Sequence, residues 1–297
     1  MVKLRFVFLL GWFLSLMISG QSLAQEDVKI TAKALNGGVI MLMGKGGNIG
    51  VFSGDDGTFM IDDQFAPLTS KILAAIKSAG GEAPRFIINT HFHGDHTGGN
   101  ENLGKRGALI VSHENVRERL AADSIIKAFG MRMKASPGVA LPVVTFSKDV
   151  SFHINGDTLR AIHSPFAHTD GDSFIQFEKA NVIHAGDLFF NGFYPFIDAD
   201  HGGTLKGMIA GADRMLALAD SNTQIIPGHG PLANKIQLEK YRNMMQTAYK
   251  RLRALKDQGK TAKEAVAANP LADLEPVWGK GIFSGEKWIH VIYPGVR

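Results

Sequence analysis

Short apolar runs, many of them alternating with polar residues, follow one another from residue 39 onward and make the chain rich in strands. Residues 39–43 and 49–52 read as two strands joined by Gly44-Lys45-Gly46-Gly47-Asn48. That turn lacks a Gly-Lys-Ser/Thr ending and no helical pattern follows it, so it predicts a hairpin rather than a phosphate loop. Further strands are expected at 58–61, 86–90, 108–111, 143–146, 150–154, 158–163, 173–177, 182–184 and 224–226. Helical spacing of Leu68, Ile72, Leu73 and Ile76 predicts a helix over 66–79, stopped by Gly80-Gly81. Helices are also expected at 113–129 behind a Ser112 cap, at 205–219, at 235–256, and after Thr261 until Pro270. Residues 130–142, with Met131, Arg132, Met133 and Lys134, read as a loop that either connects or overhangs the site, the connector being favoured. The strands fall into two groups, each followed by helices, which does not fit a continuous βαβ winding.

Composition adds an address. Lys3 and Arg5 precede an apolar stretch from 6 to 18, and Ser22-Leu23-Ala24 fits a small-x-small cleavage site. Residues 1–24 are therefore expected to be a signal peptide, too short for a comfortable membrane span. The mature protein is expected to be periplasmic or secreted, with no stable membrane span after cleavage. Cysteine is absent, so stability rests on the core. No linker, charge block or repeat interrupts residues 28–297, which predicts a single domain. Two of the 32 basic residues and none of the 28 acidic ones lie in the first 24 positions, leaving the mature chain at +2. That charge does not suggest nucleic acid. The basic residues between Lys235 and Lys263 fall on a helical pattern with acids among them and read as a solvated face. A small-molecule substrate is expected; the oligomeric state stays open.

The chemistry concentrates in His91-Phe92-His93-Gly94-Asp95-His96. Three imidazoles and a carboxylate in six residues suit zinc and related divalent ions. The preceding apolar run and the following Thr97-Gly98-Gly99-Asn100 place the cluster on a loop at the end of a core strand. Three more candidates follow: His168 in Ala167-His168-Thr169-Asp170-Gly171-Asp172-Ser173, Asp187 in His184-Ala185-Gly186-Asp187, and His229 in Pro227-Gly228-His229-Gly230. His163, at a strand end, is expected to be packed. His113, His153 and His290 are expected to be structural, and His201 to lie on a loop or face substrate.

These elements, in this order, resemble the metallo-β-lactamase superfamily from about residue 28 onward. The resemblance implies an α/β fold, a four-layer αββα sandwich of two mixed β-sheets flanked by helices, with metals at one edge. It implies one metal held by His91, His93 and His168, a second by Asp95, His96 and His229, and Asp187 bridging them. Two zinc ions are the default, and iron or manganese also suit such ligands. A water or hydroxide between the metals would attack, with Asp95 orienting it and passing a proton to the leaving group. Asp62, after an apolar strand, either orients a histidine ligand or is a solvated strand end. The aromatics after Asp187, Phe190 and Tyr194 among them, either wall an apolar acyl pocket or belong to the core. Trp278 and Trp288 are expected in the core.

The resemblance thus implies an exported hydrolase of a carbonyl-type bond: β-lactam, lactone, ester or thioester. Two departures weaken efficient lactam cleavage: Asp187 stands where one lactamase subclass uses Cys, and apolar Leu188-Phe189-Phe190 follows it in place of a Lys. Glyoxalase II-like thioester cleavage is an alternative, which the export signal disfavours. A mononuclear-iron sulfur dioxygenase on the same fold is another, and a periplasmic metal-binding partner of a redox system without turnover is a third.

Overall fold

A computed structural model describes residues 28–296. The expected signal segment lies outside the described residues. Strands β1 (Thr31–Ala34), β2 (Val39–Met43), β3 (Ile49–Gly54), β4 (Gly57–Ile61), β5 (Pro84–Ile88) and β6 (Leu109–His113) lead to a separate hairpin, β7 (Ser124–Ile126) and β8 (Met131–Met133), and then to β9 (Val144–Phe146). The first sheet has the order β1-β2-β3-β4-β5-β6-β9. It is antiparallel through β4 and parallel from β4 to β9. The second sheet runs β10 (Asp149–Ile154), β11 (Asp157–His163), β12 (Ser173–Phe177), β13 (Val182–His184), β14 (Gln224–Ile226) and β15 (Ala233–Asn234) in that order. Only β13 and β14 pair in parallel there.

Strand alternation builds the layers. Met41, Phe59, Ile61, Ile88 and Val111 point from the first sheet into a common core with Ile175, Phe177, Val182 and Ile226 of the second. Phe52 and Phe177 meet edge to face across it, with ring centroids 5.7 Å apart. The alternate residues Leu42, Met60, Ile87 and Ile110 pack on Ile72 and Ile76 of helix α1 (Thr69–Ser78). On the far side, Phe174, Ile183 and Ile225 join Met208, Met215, Leu238 and Met245. Those last four come from two helices, Leu205–Leu218 and Lys235–Asp257. The result is the four-layer α/β sandwich with two mixed sheets.

One expected helix is much shorter. Residues 113–129 form a helix only over Glu114–Leu120, and its cap is the His113 side chain, which accepts from Asn115 N, rather than Ser112. Ser112 is a buried residue of β6. After Leu120 the chain turns: Asp123 accepts from Ala135 N at 2.9 Å, and Ile125-Ile126 enter β7. β-branched residues favour this pairing, and Gly130 takes the left-handed conformation between the two strands. Part of the expected 130–142 loop is therefore β8. Strands β1 and β15, short and at sheet edges, are additions to the expected set.

Candidate metal centre

The C-terminal ends of β4, β5, β13 and β14 converge at one edge of the sandwich. They deliver Asp62, the 91–96 segment, Asp187 and His229, and the β11–β12 connection delivers His168. His91 and His93 lie in the irregular stretch after β5, as expected. Asp95 and His96 instead sit on a one-turn helix, Gly94–Thr97. Two groups of side chains able to hold a metal ion result: His91, His93, His168 and Asp187, and beside them Asp95, His96 and His229.

Each imidazole of the first group is aimed by a hydrogen bond from its other nitrogen. His168 Nδ1 donates to Phe196 O at 2.8 Å, which leaves Nε2 as a lone pair. His93 Nε2 donates to Asp198 Oδ2 at 3.0 Å, which leaves Nδ1 as a lone pair. These two lone-pair nitrogens stand 2.9 Å apart. Thr90 Oγ1 donates to Asp62 Oδ2, so His91 Nδ1 is the donor in its 3.1 Å contact with Thr90 Oγ1. His91 Nε2 is then a buried acceptor with no hydrogen-bond partner. Three converging imidazole lone pairs in a buried space repel one another unless a cation lies between them, so the donor set fits a divalent metal.

In the second group His96 Nδ1 donates to Asp62 Oδ2 at 2.7 Å. Its Nε2 lies 3.0 Å from Asp187 Oδ1 and 3.7 Å from Asp95 Oδ2. His229 Nε2 is 3.2 Å from Asp95 Oδ2 and 3.5 Å from Asp187 Oδ1. Asp187 turns its other oxygen to the first group, with Oδ2 3.4 Å from His168 Nε2 and 3.8 Å from His91 Nε2. One carboxylate therefore addresses both groups.

Asp62 is fully buried and also accepts from Thr90 N at 2.8 Å, so it is an orienting group and not a solvated strand end. Its positive φ of 59° bends the chain at the end of β4. The 44–48 hairpin turn closes over the same region: Asn48 Nδ2 donates to Pro227 O and Gly230 O, and Gln64 Nε2 to Gly47 O. A Cβ at Gly47 would run into the His96 ring.

Charge divides the groups. Burial lowers His91 well below its ordinary range, helped by the charge on His96. Burial likewise lowers His168 to about 4. Burial also works against charge on His96 and His229, but Asp187 and Asp95 prevail and raise His96 well above its ordinary value and His229 to about 9. Burial pushes Asp95 upward, yet His96 and His229 bring it down to about 2.

Other expected residues fall differently. Phe190 is buried and stacks on the His229 ring at 5.3 Å, backing it. Tyr194 is core: fully buried, stacked on Trp288 at 4.5 Å, its hydroxyl without a partner. Trp288 is buried and Trp278 packs against the same cluster. His201 is buried and donates to Asp198 Oδ2 at 2.6 Å, beneath the site rather than facing substrate. His163 stacks on His113 at 3.6 Å. His153 and His290 are exposed. Asp198, which steers His93, and Phe196, which steers His168, were not among the expected site residues. The Asp198-to-His201 sequence drew notice only through its histidine.

A profile of the Metallo-beta-lactamase superfamily matches residues 42–229. The chain belongs to the metallo-beta-lactamase superfamily. Its two adjacent His/Asp groups are consistent with a dinuclear metal site. Among relatives, the hydroxyacylglutathione hydrolase of Nitrosococcus oceani is 29% identical over 171 residues, 57% of this chain and 57% of that one. The hydroxyacylglutathione hydrolase of Polaromonas sp. is 28% identical over 198 residues, 66% of this chain and 67% of that one. The chain thus spans little more than half the length of the first relative. Among solved structures, DIM-1 metallo-beta-lactamase superposes with a TM-score of 0.60 at 14% identity, over 75% of this chain and 100% of that one. FIM-1 from Pseudomonas aeruginosa gives 0.57 at 18% identity, over 75% and 97%. At such identities these structures share the fold.

Proposed function

We propose that this superfamily member is an exported dinuclear-zinc hydrolase that cleaves a carbonyl-type bond, a β-lactam, lactone, ester or thioester. The observation that carries the reading is the convergence of the His91, His93 and His168 lone pairs beside Asp187, whose second oxygen addresses the other group. In this reading His91, His93 and His168 hold one ion, Asp95, His96 and His229 the other, and Asp187 both. Two bound divalent ions supply an activated water and polarise the scissile carbonyl. The chain's own groups do the rest. Asp198, Phe196 O, Thr90 and Asp62 fix four imidazoles in the ring orientation a ligand needs. Asp95 is ionised, partly exposed and at the rim, where it takes a proton from the attacking water and returns it to the leaving group.

The two hydroxyacylglutathione hydrolases matched by sequence favour hydrolysis, and their name is that of an acyl thioester. Export rests on the residue 1–24 pattern alone. A panel of one lactam, one lactone, one ester and one thioester, run on zinc-loaded protein with and without EDTA, tests the reading. EDTA-sensitive turnover of one class is the expected result; no turnover of any class sinks it.

A further inference from the structure

We propose that an aromatic shelf beside the first ligand group binds an apolar acyl chain, so that the substrate is an ester or thioester of a medium-chain acid. The inference rests on the hydrolase reading above and names its substrate class.

The shelf begins at the site itself. Phe196, whose carbonyl orients His168, stacks on the His93 ring at 5.7 Å and meets the His168 ring at 5.5 Å. Phe129, in the turn of the β7–β8 hairpin, lies 4.8 Å from Phe196 and stacks on Phe283 at 5.9 Å. The three rings thus form a continuous apolar path from the site to the surface. Met131 extends it: it pairs with Ile126 across the hairpin and so shares its face, and Ile126 packs in the core cluster that holds Phe196 and Phe283. Phe129 is nevertheless 43% exposed and Met131 52%. Large apolar groups left in water beside a polar site mark a binding surface more often than a packing accident.

The hairpin is also held in place. Ile126 anchors it from inside, and Lys127 Nζ pairs with Asp200 Oδ1 at 2.7 Å, in the same loop as Asp198 and His201. A shelf fixed to the loop that steers His93 presents its apolar surface at a constant distance from the site. Phe190 and Tyr194, buried behind His229 and against Trp288, leave this face as the acyl wall. In the reaction, water oxygen bonds to the acyl carbon, the C–O or C–S bond breaks, and one proton passes to the departing oxygen or sulfur. The acid product retains the chain on the shelf.

Full burial of a methylene is worth about fourfold in affinity, and contact on one side about twofold. Four methylenes on an open shelf then give roughly a tenfold effect. The test uses zinc-loaded full-length protein with acetyl, butyryl and octanoyl p-nitrophenyl esters and the matching thiophenyl esters. Binding of octanoate and acetate is measured on the same samples by calorimetry. We expect kcat/KM to rise about tenfold from butyryl to octanoyl and octanoate to bind at least tenfold tighter than acetate. Phe129→Ala should erase most of both ratios, and Met131→Ala part of them. Leu218→Ala, an exposed apolar residue elsewhere, should leave them unchanged. The ester and thioester series distinguish the leaving group. A flat chain-length profile, octanoate binding no tighter than acetate, or ratios indifferent to Phe129→Ala overturns the shelf. Tight, Phe129-dependent octanoate binding without hydrolysis of any ester or thioester upholds the shelf and overturns the hydrolase reading instead.

Discussion

The two halves of the centre use the same side-chain types in opposite electrostatic conditions. His91 and His168 are fully buried, and desolvation leaves them neutral. The His229 and Asp95 side chains keep 21% and 27% of their surface, and carboxylates beside His96 and His229 hold both imidazoles protonated without metal. One half therefore offers free lone pairs, while the other must give up protons before it can bind. Burial alone does not set the difference, because His96 is as buried as His91; the number of nearby carboxylates does.

The comparison breaks most completely at Asp187, which alone faces both halves. Asp187→Asn should reduce hydrolysis by about a thousandfold or more, the scale of lost site electrostatics, and lower metal content in both halves. Elemental analysis and kinetics check it; retained metal and activity would remove Asp187 from the centre.

The next effect is in pH. Zinc binding to the Asp95, His96 and His229 half should tighten as pH rises, because His229 sits near 9 and its proton must leave. The gain is about tenfold per pH unit for each proton released, with the His229 contribution flattening near pH 9. The His91 half, with His168 near 4, should change little between pH 6 and 9. Stepwise competition titrations at three pH values read both, and parallel slopes would contradict the contrast.

Removing the orienting carboxylates sharpens the comparison one half at a time. Asp198→Ala should weaken metal affinity about 10- to 100-fold in the His93 half alone, and Asp62→Ala similarly in the His96 half, with a smaller loss in the other half through Thr90 and His91. Equal losses in both halves from either variant would deny them separate roles.

The smallest effect expected is at Tyr194, whose buried hydroxyl has no partner. Tyr194→Phe should be neutral or stabilising by up to about 1 kcal/mol in urea unfolding, with activity unchanged. A tenfold loss of activity would return Tyr194 to the substrate site.

The candidate ligands were legible because each lies in a short motif at the end of an apolar strand, where local pattern and chemistry coincide. His91 to His96 needed no tertiary information to be noticed. Asp198 did: its partner His93 is 105 positions away, and nothing local separates an orienting carboxylate from a loop aspartate. Asp62 stayed ambiguous for the same reason. The two-sheet sandwich followed from the grouping of strands and helices together with the family pattern. The 113–129 helix was overread because Val116 and Leu120 keep helical spacing up to the point where Asp123 and the Ile125-Ile126 pair take the chain into a hairpin. Tyr194 and Phe190 belong to an apolar run whose composition is the same for a core and for a wall; only packing on Trp288 and His229 decides.

The central claim is that two adjacent His/Asp groups act together as one hydrolytic centre. Metal content of the purified protein, measured on the sample used for the lactam, lactone, ester and thioester panel, tests it most directly. The account predicts two zinc ions per chain and EDTA-sensitive cleavage of one bond class. One iron per chain, with no hydrolysis and oxygen consumption on a persulfide substrate, would contradict it.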